Sequence, residues 1–159
     1  MATLTNTNIS EREIVTSRII DKPRELVFKA WTDPKHLTNW WGPKGFTNTF
    51  HTFDLKPEGD WKFTMRSPDG EEFLNHSIFE EIVKPERLVF RHVSTHPFKV
   101  ITTFEANSDK TKLTFKMVFE SKEECEETKV YAVEANEQNF DRLEAELDKM
   151  LFFQGSNLI

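Results

Sequence analysis

The sequence predicts an α+β domain in which a curved antiparallel β-sheet wraps around a long C-terminal helix. Residues 47–120 follow a period-two pattern of apolar and polar side chains, interrupted by clusters of turn-forming residues. Residues 122–151 instead follow a 3.6-residue period with a single apolar stripe. A sheet with one apolar face must bury that face, and only this helix offers a stripe long enough to cover it.

The first 46 residues predict a strand followed by two short helices. β-Branched and polar residues alternate over Glu13–Ile20, which is typical of a strand. Pro23 suits the first turn of a helix, and Asp33-Pro34 suits the cap and first position of a second helix. Residues 1–10 are rich in Thr and Asn without periodicity, so we expect a loose tail there.

The period-two segment predicts a meander of five further strands and a short lead-in. Its turns are marked by residues 57–59, 67–70, 84–86 and 107–109. One face of these strands is largely aromatic and aliphatic, and the charged residues between them point the other way. This alternation indicates a sheet that is buried on one side only.

Residues 121–124 form a capping box that predicts the start of the C-terminal helix. Its apolar stripe consists of Val133, Asn136, Phe140, Leu143, Leu147 and Leu151. The stripe is poor before Thr128, where we expect a break. The residues expected on the outer face are Glu137, Asp141, Arg142, Glu146 and Lys149.

Composition limits the classes of function. A length of 159 residues fits one domain, with its core expected over about residues 12–151 and loose ends at 1–10 and 153–159. A net charge of −6 without a basic cluster argues against nucleic acid and anionic membranes as partners. No signal peptide or apolar run of about 20 residues is visible, and Cys125 is the single cysteine, so a cytoplasmic location is expected.

Short strings of residues also carry a family resemblance. They are IIDKP (19–23), VFKAWTDP (27–34), WWGP (40–43), DLKP (54–57), SPDG (67–70), PERLVF (85–90), TFE (103–105) and FDRL (140–143). Together they resemble the START-like (SRPBCC, helix-grip) superfamily, in the group related to the C-terminal domain of the heat-shock-protein-90 ATPase activator. The similarity covers about residues 12–150.

That resemblance implies a helix-grip fold and a cavity between the sheet and the long helix. Relatives use this cavity for lipids, polyketides, hormones or other apolar ligands. A few relatives are cyclases or other enzymes, and the eukaryotic activator uses the domain to contact a chaperone. The chain departs from the family pattern at Ala135-Asn136, where glycine followed by an aromatic or apolar residue is common.

The candidates for lining such a cavity are the residues expected to face inward. They are Phe63, Met65, His76, Ile78, Phe90, His92, Thr102, Phe115, Met117, Phe119, Asn136 and Phe140. Trp40 and Trp41 complete the set, since one could gate the mouth while the other anchors the second short helix. The alternative is a solid core, in which each buried ring contributes about 1.5–3 kcal/mol. The loop that follows Gly42-Pro43 is the expected lid.

Asn136 is the polar member of the helix stripe. A buried amide without a partner costs about 1–3 kcal/mol, so we expect it to bind an inward histidine, a water or a ligand. A rotated or broken helix would instead leave Asn136 in solvent.

Metal binding and catalysis have little support in the sequence. The spacing of the five histidines brings no two imidazoles to one ion, and no metal or other cofactor is expected. No nucleophilic triad or phosphate-binding loop is recognisable. Glu80 and Glu81 occupy both faces of one strand, so one points inward or lies at a bulge. A buried carboxylate could act as a general base, whereas an ion pair with a neighbouring strand is the alternative.

Three hypotheses follow. The first is a non-enzymatic domain that binds a small hydrophobic ligand. The second is a regulator of a heat-shock-protein-90-type chaperone, which would need an exposed binding face. The third is a cavity enzyme that uses Glu80 or Glu81 with His76 or His92. A homodimer is compatible with all three.

Overall fold

A computed structural model describes the backbone of residues 6–9 and 11–157 and the side chains of residues 11–150. The elements are β1 (Asn6–Ile9), β2 (Glu13–Ile20), α1 (Arg24–Thr32), α2 (Pro34–Trp40), β3 (Thr47–Phe53), β4 (Asp60–Arg66), β5 (Glu72–Val83), β6 (Arg87–His92), β7 (Phe98–Asn107), β8 (Lys110–Phe119) and α3 (Lys122–Asn157). The predicted α+β helix-grip fold is confirmed. Predictions for residues 1–5, 10, 158 and 159, and for the side chain of Leu151, lie outside the described residues.

The described strands form one antiparallel sheet of eight strands in the order β1-β2-β8-β7-β6-β5-β4-β3. β2 pairs with β8 from Glu13↔Val118 to Ile20↔Thr111, which joins the first part of the chain to the end of the meander. β1 pairs with β2 along its four residues. The prediction of a loose tail is therefore wrong for residues 6–9, which form an edge strand.

The concave face of the sheet carries the apolar residues that the period-two pattern placed there. Trp61, Phe90, Leu113 and Phe115 are each at most 4% exposed. Two irregularities interrupt this alternation: the pairing of β3 with β4 shifts between Phe50 and Thr52, and that of β5 with β6 shifts between Phe79 and Glu81. In β5 the extra residue is Glu80, and this β-bulge changes which side chains of the strand face inward.

The two short helices cover one end of the concave face. α1 follows Pro23, as expected, and its buried residues are Leu26, Val27, Phe28, Ala30 and Trp31. In α2 the carboxylate of Asp33 accepts a hydrogen bond of 3.0 Å from the backbone N–H of Lys35, as expected of a cap.

Helix α3 begins as the capping box predicts, because the Ser121 hydroxyl accepts a hydrogen bond of 3.2 Å from the backbone N–H of Glu124. The predicted break near Thr128 is wrong. The helix is continuous, and the Thr128 hydroxyl donates to the Glu124 carbonyl one turn earlier at 2.8 Å. No helix in the described part of the chain is long and apolar enough to cross a membrane.

Two residues of α3 that were expected on its outer face are partly or wholly buried. The Glu146 side chain is 6% exposed, and its carboxylate lies 2.8 Å from His36 Nδ1 and accepts from the Asn39 amide at 3.2 Å. Arg142 is half-buried against the loop that follows α2. Both side chains bind the α2 region, so polar groups fasten α3 to this part of the fold alongside the apolar stripe.

Candidate functional site

A cavity of about 800 Å³ lies between the concave face of the sheet, the loop after α2 and the first half of α3. Its opening is marked by lining residues that are exposed to solvent. They are Glu72, Phe73, Leu74, Thr95 and Tyr131. The volume falls within the range of pockets that enclose small molecules.

The cavity exists because the side chains that α3 turns toward the sheet are small in its first half and large in its second half. Where the helix passes over the cavity it presents short side chains, among them Ala132, Ala135 and Asn136. Beyond them, Phe140 and Leu143 are at most 1% exposed and belong to the buried core. The helix therefore packs tightly with its second half and leaves a gap beneath its first half.

An aromatic network forms the floor of the cavity around Trp61. Its ring centroid lies 4.8 Å from that of Phe63, 5.3 Å from that of Trp41 and 5.3 Å from that of Phe90. Interlocked rings of this kind have few alternative rotamers, so the floor is preformed. The indole N–H of Trp61 is buried without a hydrogen-bond partner among the described residues.

The structure brings eight of the predicted residues to the cavity wall. They are Trp41, Phe63, Met65, Phe90, His92, Phe115, Met117 and Asn136. Several further residues line the wall that were not named as candidates, including Trp61, Ser77, Phe98 and Asn139. The alternation along β7 could have identified Phe98, and the i, i+3 spacing from Asn136 could have identified Asn139.

Six predicted residues lie elsewhere. Trp40, Thr102, Phe119 and Phe140 face the interior but are at most 3% exposed and belong to the solid part of the molecule. Trp40 is an anchor and not a gate, because its indole N–H donates to the Ala30 carbonyl at 2.9 Å.

His76 and Ile78 are placed on the wrong face by the prediction. Ser77 lies opposite both Trp61 and His92 in the sheet and lines the cavity, so its two neighbours point to the convex side. His76 Nε2 there lies 2.7 Å from a carboxylate oxygen of Asp60.

Apart from Glu72 at the mouth, the polar groups of the described wall carry no formal charge. His92 stacks on Phe98 with ring centroids 4.9 Å apart, and its Nε2 lies 3.3 Å from the Ser94 hydroxyl. Burial lowers the pKa of His92 below its ordinary value, and this outweighs a backbone hydrogen bond with Ser94 that acts in the opposite direction. The imidazole is therefore neutral at pH 7.

Asn136 faces the sheet, as the helix stripe predicts. Its amide N–H group donates to the Thr16 hydroxyl at 3.3 Å and to the Met117 sulfur at 3.6 Å. Of the expected partners, an inward histidine does not fill this role, since Thr16 and Met117 take the amide instead. Asn136 is 7% exposed and lines the cavity.

The loop that was expected to act as a lid is fastened to α3. Asn139 Oδ1 accepts from the backbone N–H of Gly42 at 3.1 Å, and Gln138 Oε1 accepts from that of Lys44 at 3.1 Å. Arg142 donates to the carbonyls of Gly42 and Pro43, both at 2.8 Å. Any opening of this loop must break these hydrogen bonds, so the loop is a wall of the cavity in this structure.

The carboxylates considered for catalysis lie far from this wall. Glu80 and Glu81 flank the β-bulge and both point to the convex face, where Glu80 pairs with Arg91 at 2.9 Å and with Lys99 at 3.0 Å. Desolvation alone would raise the pKa of Glu80, but the hydrogen bonds from those two residues outweigh it and the pKa is lowered. The predicted combination of Glu80 or Glu81 with His76 or His92 in one cavity is therefore wrong.

No side-chain cluster suited to a metal ion occurs among the described residues. The site is thus an apolar cavity with a few neutral hydrogen-bonding groups.

Solved structures with the same fold come from several bacteria. A crystal structure from Nitrosomonas europaea is 20% identical, with a TM-score of 0.82 over 90% of this chain and 98% of that one. A solution structure from Arthrobacter aurescens is 21% identical, with a TM-score of 0.84 over 94% and 93%. The AHSA1 protein from Silicibacter pomeroyi is 18% identical, with a TM-score of 0.74 over 87% and 99%. Identities this low show a shared fold.

A comparison with curated proteins finds no significant match. The family described as "Activator of Hsp90 ATPase homolog 1-like protein" matches residues 21–148, which is most of the chain and includes every element from α1 to the middle of α3. The chain belongs to this family of Activator of Hsp90 ATPase homolog 1-like proteins.

Proposed function

We propose that the domain binds a small, largely apolar molecule in the cavity under the first half of α3. The observation that carries this proposal is the cavity of about 800 Å³ itself, with its aromatic floor and its opening to solvent. Side chains around a gap of this size lack van der Waals contacts on one side, and a bound ligand would supply those contacts. Among the described lining residues the one charged side chain is Glu72 at the mouth, so binding is the function that the wall supports.

The exposed apolar residues at the opening support the same proposal. Phe73, which lies opposite the cavity residue Met65, is 42% exposed and Tyr131 is 66% exposed, and both line the mouth. Large apolar side chains that surround an opening offer contacts to a ligand that is only partly enclosed.

A filled-cavity variant provides a direct test. Ala135 lines the cavity, and the change Ala135→Phe should occupy part of its volume. Ala145 lies exposed on the same helix outside the cavity, so Ala145→Phe is the matched control. We expect the neutral dye N-phenyl-1-naphthylamine to bind the wild type and the control saturably, with at least tenfold weaker binding to Ala135→Phe.

Dye fluorescence that rises only on partial unfolding, or that is the same in both variants, would contradict the proposal. If the dye binds as expected, native mass spectrometry of protein purified from its own cells would identify the natural ligand as a retained mass.

Regulation of an Hsp90-type chaperone is the second candidate, and the family description is what favours it. An interaction of this kind predicts that the purified protein changes the ATPase rate of the chaperone. The Ala135→Phe variant should retain that effect if the contact surface lies outside the cavity.

A further inference from the structure

Two side-chain amides on α3 face the cavity one helical turn apart. Asn136 is 7% exposed and Asn139 is 8% exposed, and both line the wall. Each amide has one oxygen acceptor and one NH₂ donor, and its contacts decide which of the two is left for a ligand.

The contacts of Asn136 fix its orientation. A thioether sulfur accepts hydrogen bonds and does not donate them, so the atom that faces the Met117 sulfur at 3.6 Å must be the NH₂ group. The same NH₂ group reaches the Thr16 hydroxyl at 3.3 Å. No described residue donates to Asn136 Oδ1, and this oxygen retains some solvent-accessible surface.

The contacts of Asn139 fix the opposite orientation. A backbone N–H only donates, so the atom that faces Gly42 N at 3.1 Å must be the amide oxygen. The NH₂ group of Asn139 has no acceptor among the described residues and is likewise not sealed from solvent. The helix therefore presents one acceptor, on Asn136, and one donor, on Asn139.

Charged groups are missing from the interior of the described wall. Glu72 is the one charged lining residue, and it stands at the mouth, 57% exposed and paired with Arg66 at 3.0 Å. The remaining polar side chains on the strands of the wall are Asn75, Ser77 and His92; the first two carry no charge, and burial lowers the pKa of His92. An ionised ligand would lose its hydration in this cavity without meeting a counter-charge.

We propose that these two amides select an uncharged ligand that carries both a hydroxyl group and a carbonyl group. The ligand hydroxyl donates to Asn136 Oδ1, and the ligand carbonyl accepts from Asn139 Nδ2. The aromatic floor around Trp61 holds the apolar body of the same molecule. This inference rests on the proposed function and names the class of ligand for that site.

Benzophenones of nearly equal size provide the test. Benzophenone carries the carbonyl alone, 3- and 4-hydroxybenzophenone add a hydroxyl group, and 4-benzoylbenzoate adds a negative charge. Their affinities are measured by displacement of N-phenyl-1-naphthylamine. At least one hydroxybenzophenone should bind about tenfold more tightly than benzophenone, and the anion at least tenfold more weakly.

Three variants assign the preference to the amides. Asn136→Leu should reduce the hydroxyl preference to less than twofold and leave the affinity for benzophenone unchanged or higher. Asn136→Ala gives the same readout without added bulk if the leucine variant fails to fold. Asn139→Asp keeps an oxygen for the Gly42 N–H but loses the donor, so it should weaken every benzophenone by about three- to tenfold.

The outcomes separate this inference from the proposed function. If neither the dye nor benzophenone binds the wild type, both proposals fail. If they bind but the hydroxyl group adds nothing, the anion binds equally well, or the preference survives in Asn136→Leu, the amide-recognition inference alone is overturned.

Discussion

Arg142 is the residue whose replacement tests how the loop after α2 is held against the cavity. Its guanidinium donates to five backbone carbonyls at 2.8–3.4 Å: those of Asn39, Trp41, Gly42, Pro43 and Phe46. No carboxylate pairs with it among the described residues, and burial lowers its pKa. The change Arg142→Gln removes all of these bonds and leaves the rest of the helix intact.

The expected magnitude follows from the three shortest bonds. A hydrogen bond from a charged donor contributes about 1.5–3 kcal/mol net of its exchange with water, so three of them set an upper bound of about 4.5–9 kcal/mol. Hydrogen bonds within one network are not additive, and water can replace the guanidinium at the carbonyls of this partly exposed loop. We therefore expect Arg142→Gln to lower the free energy of unfolding by about 2–4 kcal/mol.

Urea unfolding followed by circular dichroism measures this change. With a slope of about 2 kcal/mol per molar urea, the midpoint should fall by about 1–2 M. Arg142→Lys keeps the charge but lacks the planar fork, so it should recover less than half of the loss. Lys149→Gln, at an exposed position of the same helix, is the control and should change stability by less than about 0.5 kcal/mol. A loss that small for Arg142→Gln would refute the role assigned to these bonds.

Further predictions concern packing and pH. Leu147 is fully buried, so Leu147→Ala should lower the free energy of unfolding by about 2–5 kcal/mol in urea titrations, and a loss below about 0.5 kcal/mol would show that α3 does not pack as described. Trp40→Ala should cost about 3–5 kcal/mol and lower the melting temperature, whereas a gating role would leave the melting temperature unchanged and alter only dye binding. Burial lowers the pKa of His92 in the folded protein. As the pH falls below about 6.5, the imidazole therefore takes up a proton in the unfolded chain before it does so in the folded protein. The free energy of unfolding should decline over this range. Unfolding of His92→Gln at pH 7.5 and 5.5 should show a smaller decline, and an equal decline in both proteins would exclude His92 as its source.

The fold could be predicted from the sequence because its signals are local. The alternation of β8 predicts the face of every residue from Leu113 to Phe119, and the same holds for β4 around Trp61. β5 is different, because apolar side chains occur at both parities in the run that contains Leu74, Ile78 and Phe79. The bulge at Glu80 and Glu81 shifts the alternation again, so His76 and Ile78 were assigned to the wrong face.

The candidate site was only partly predictable, because it depends on contacts between distant segments. The stripe position of Asn136 indicates that it faces the sheet, but Thr16 lies 120 residues away and its contact has no sequence signal. The same applies to Arg142, which is charged and lies off the apolar stripe like an outer-face residue, but binds a loop about 100 residues earlier in the chain. Long-range pairings of polar side chains with backbone carbonyls follow from the tertiary fold and leave no period in the sequence.

The division of α3 into a tightly packed half and a half that roofs the cavity has a consequence for how this domain can change over time. Leu143 and Leu147 hold the helix to the fold, while Ala132, Ala135 and Asn136 shape the space beneath it. Substitutions in the second group change the size and chemistry of the cavity without disturbing the packing of the second half of α3. Under the proposed function, a few replacements within the five helical residues 132–136 would therefore change which ligand the domain binds.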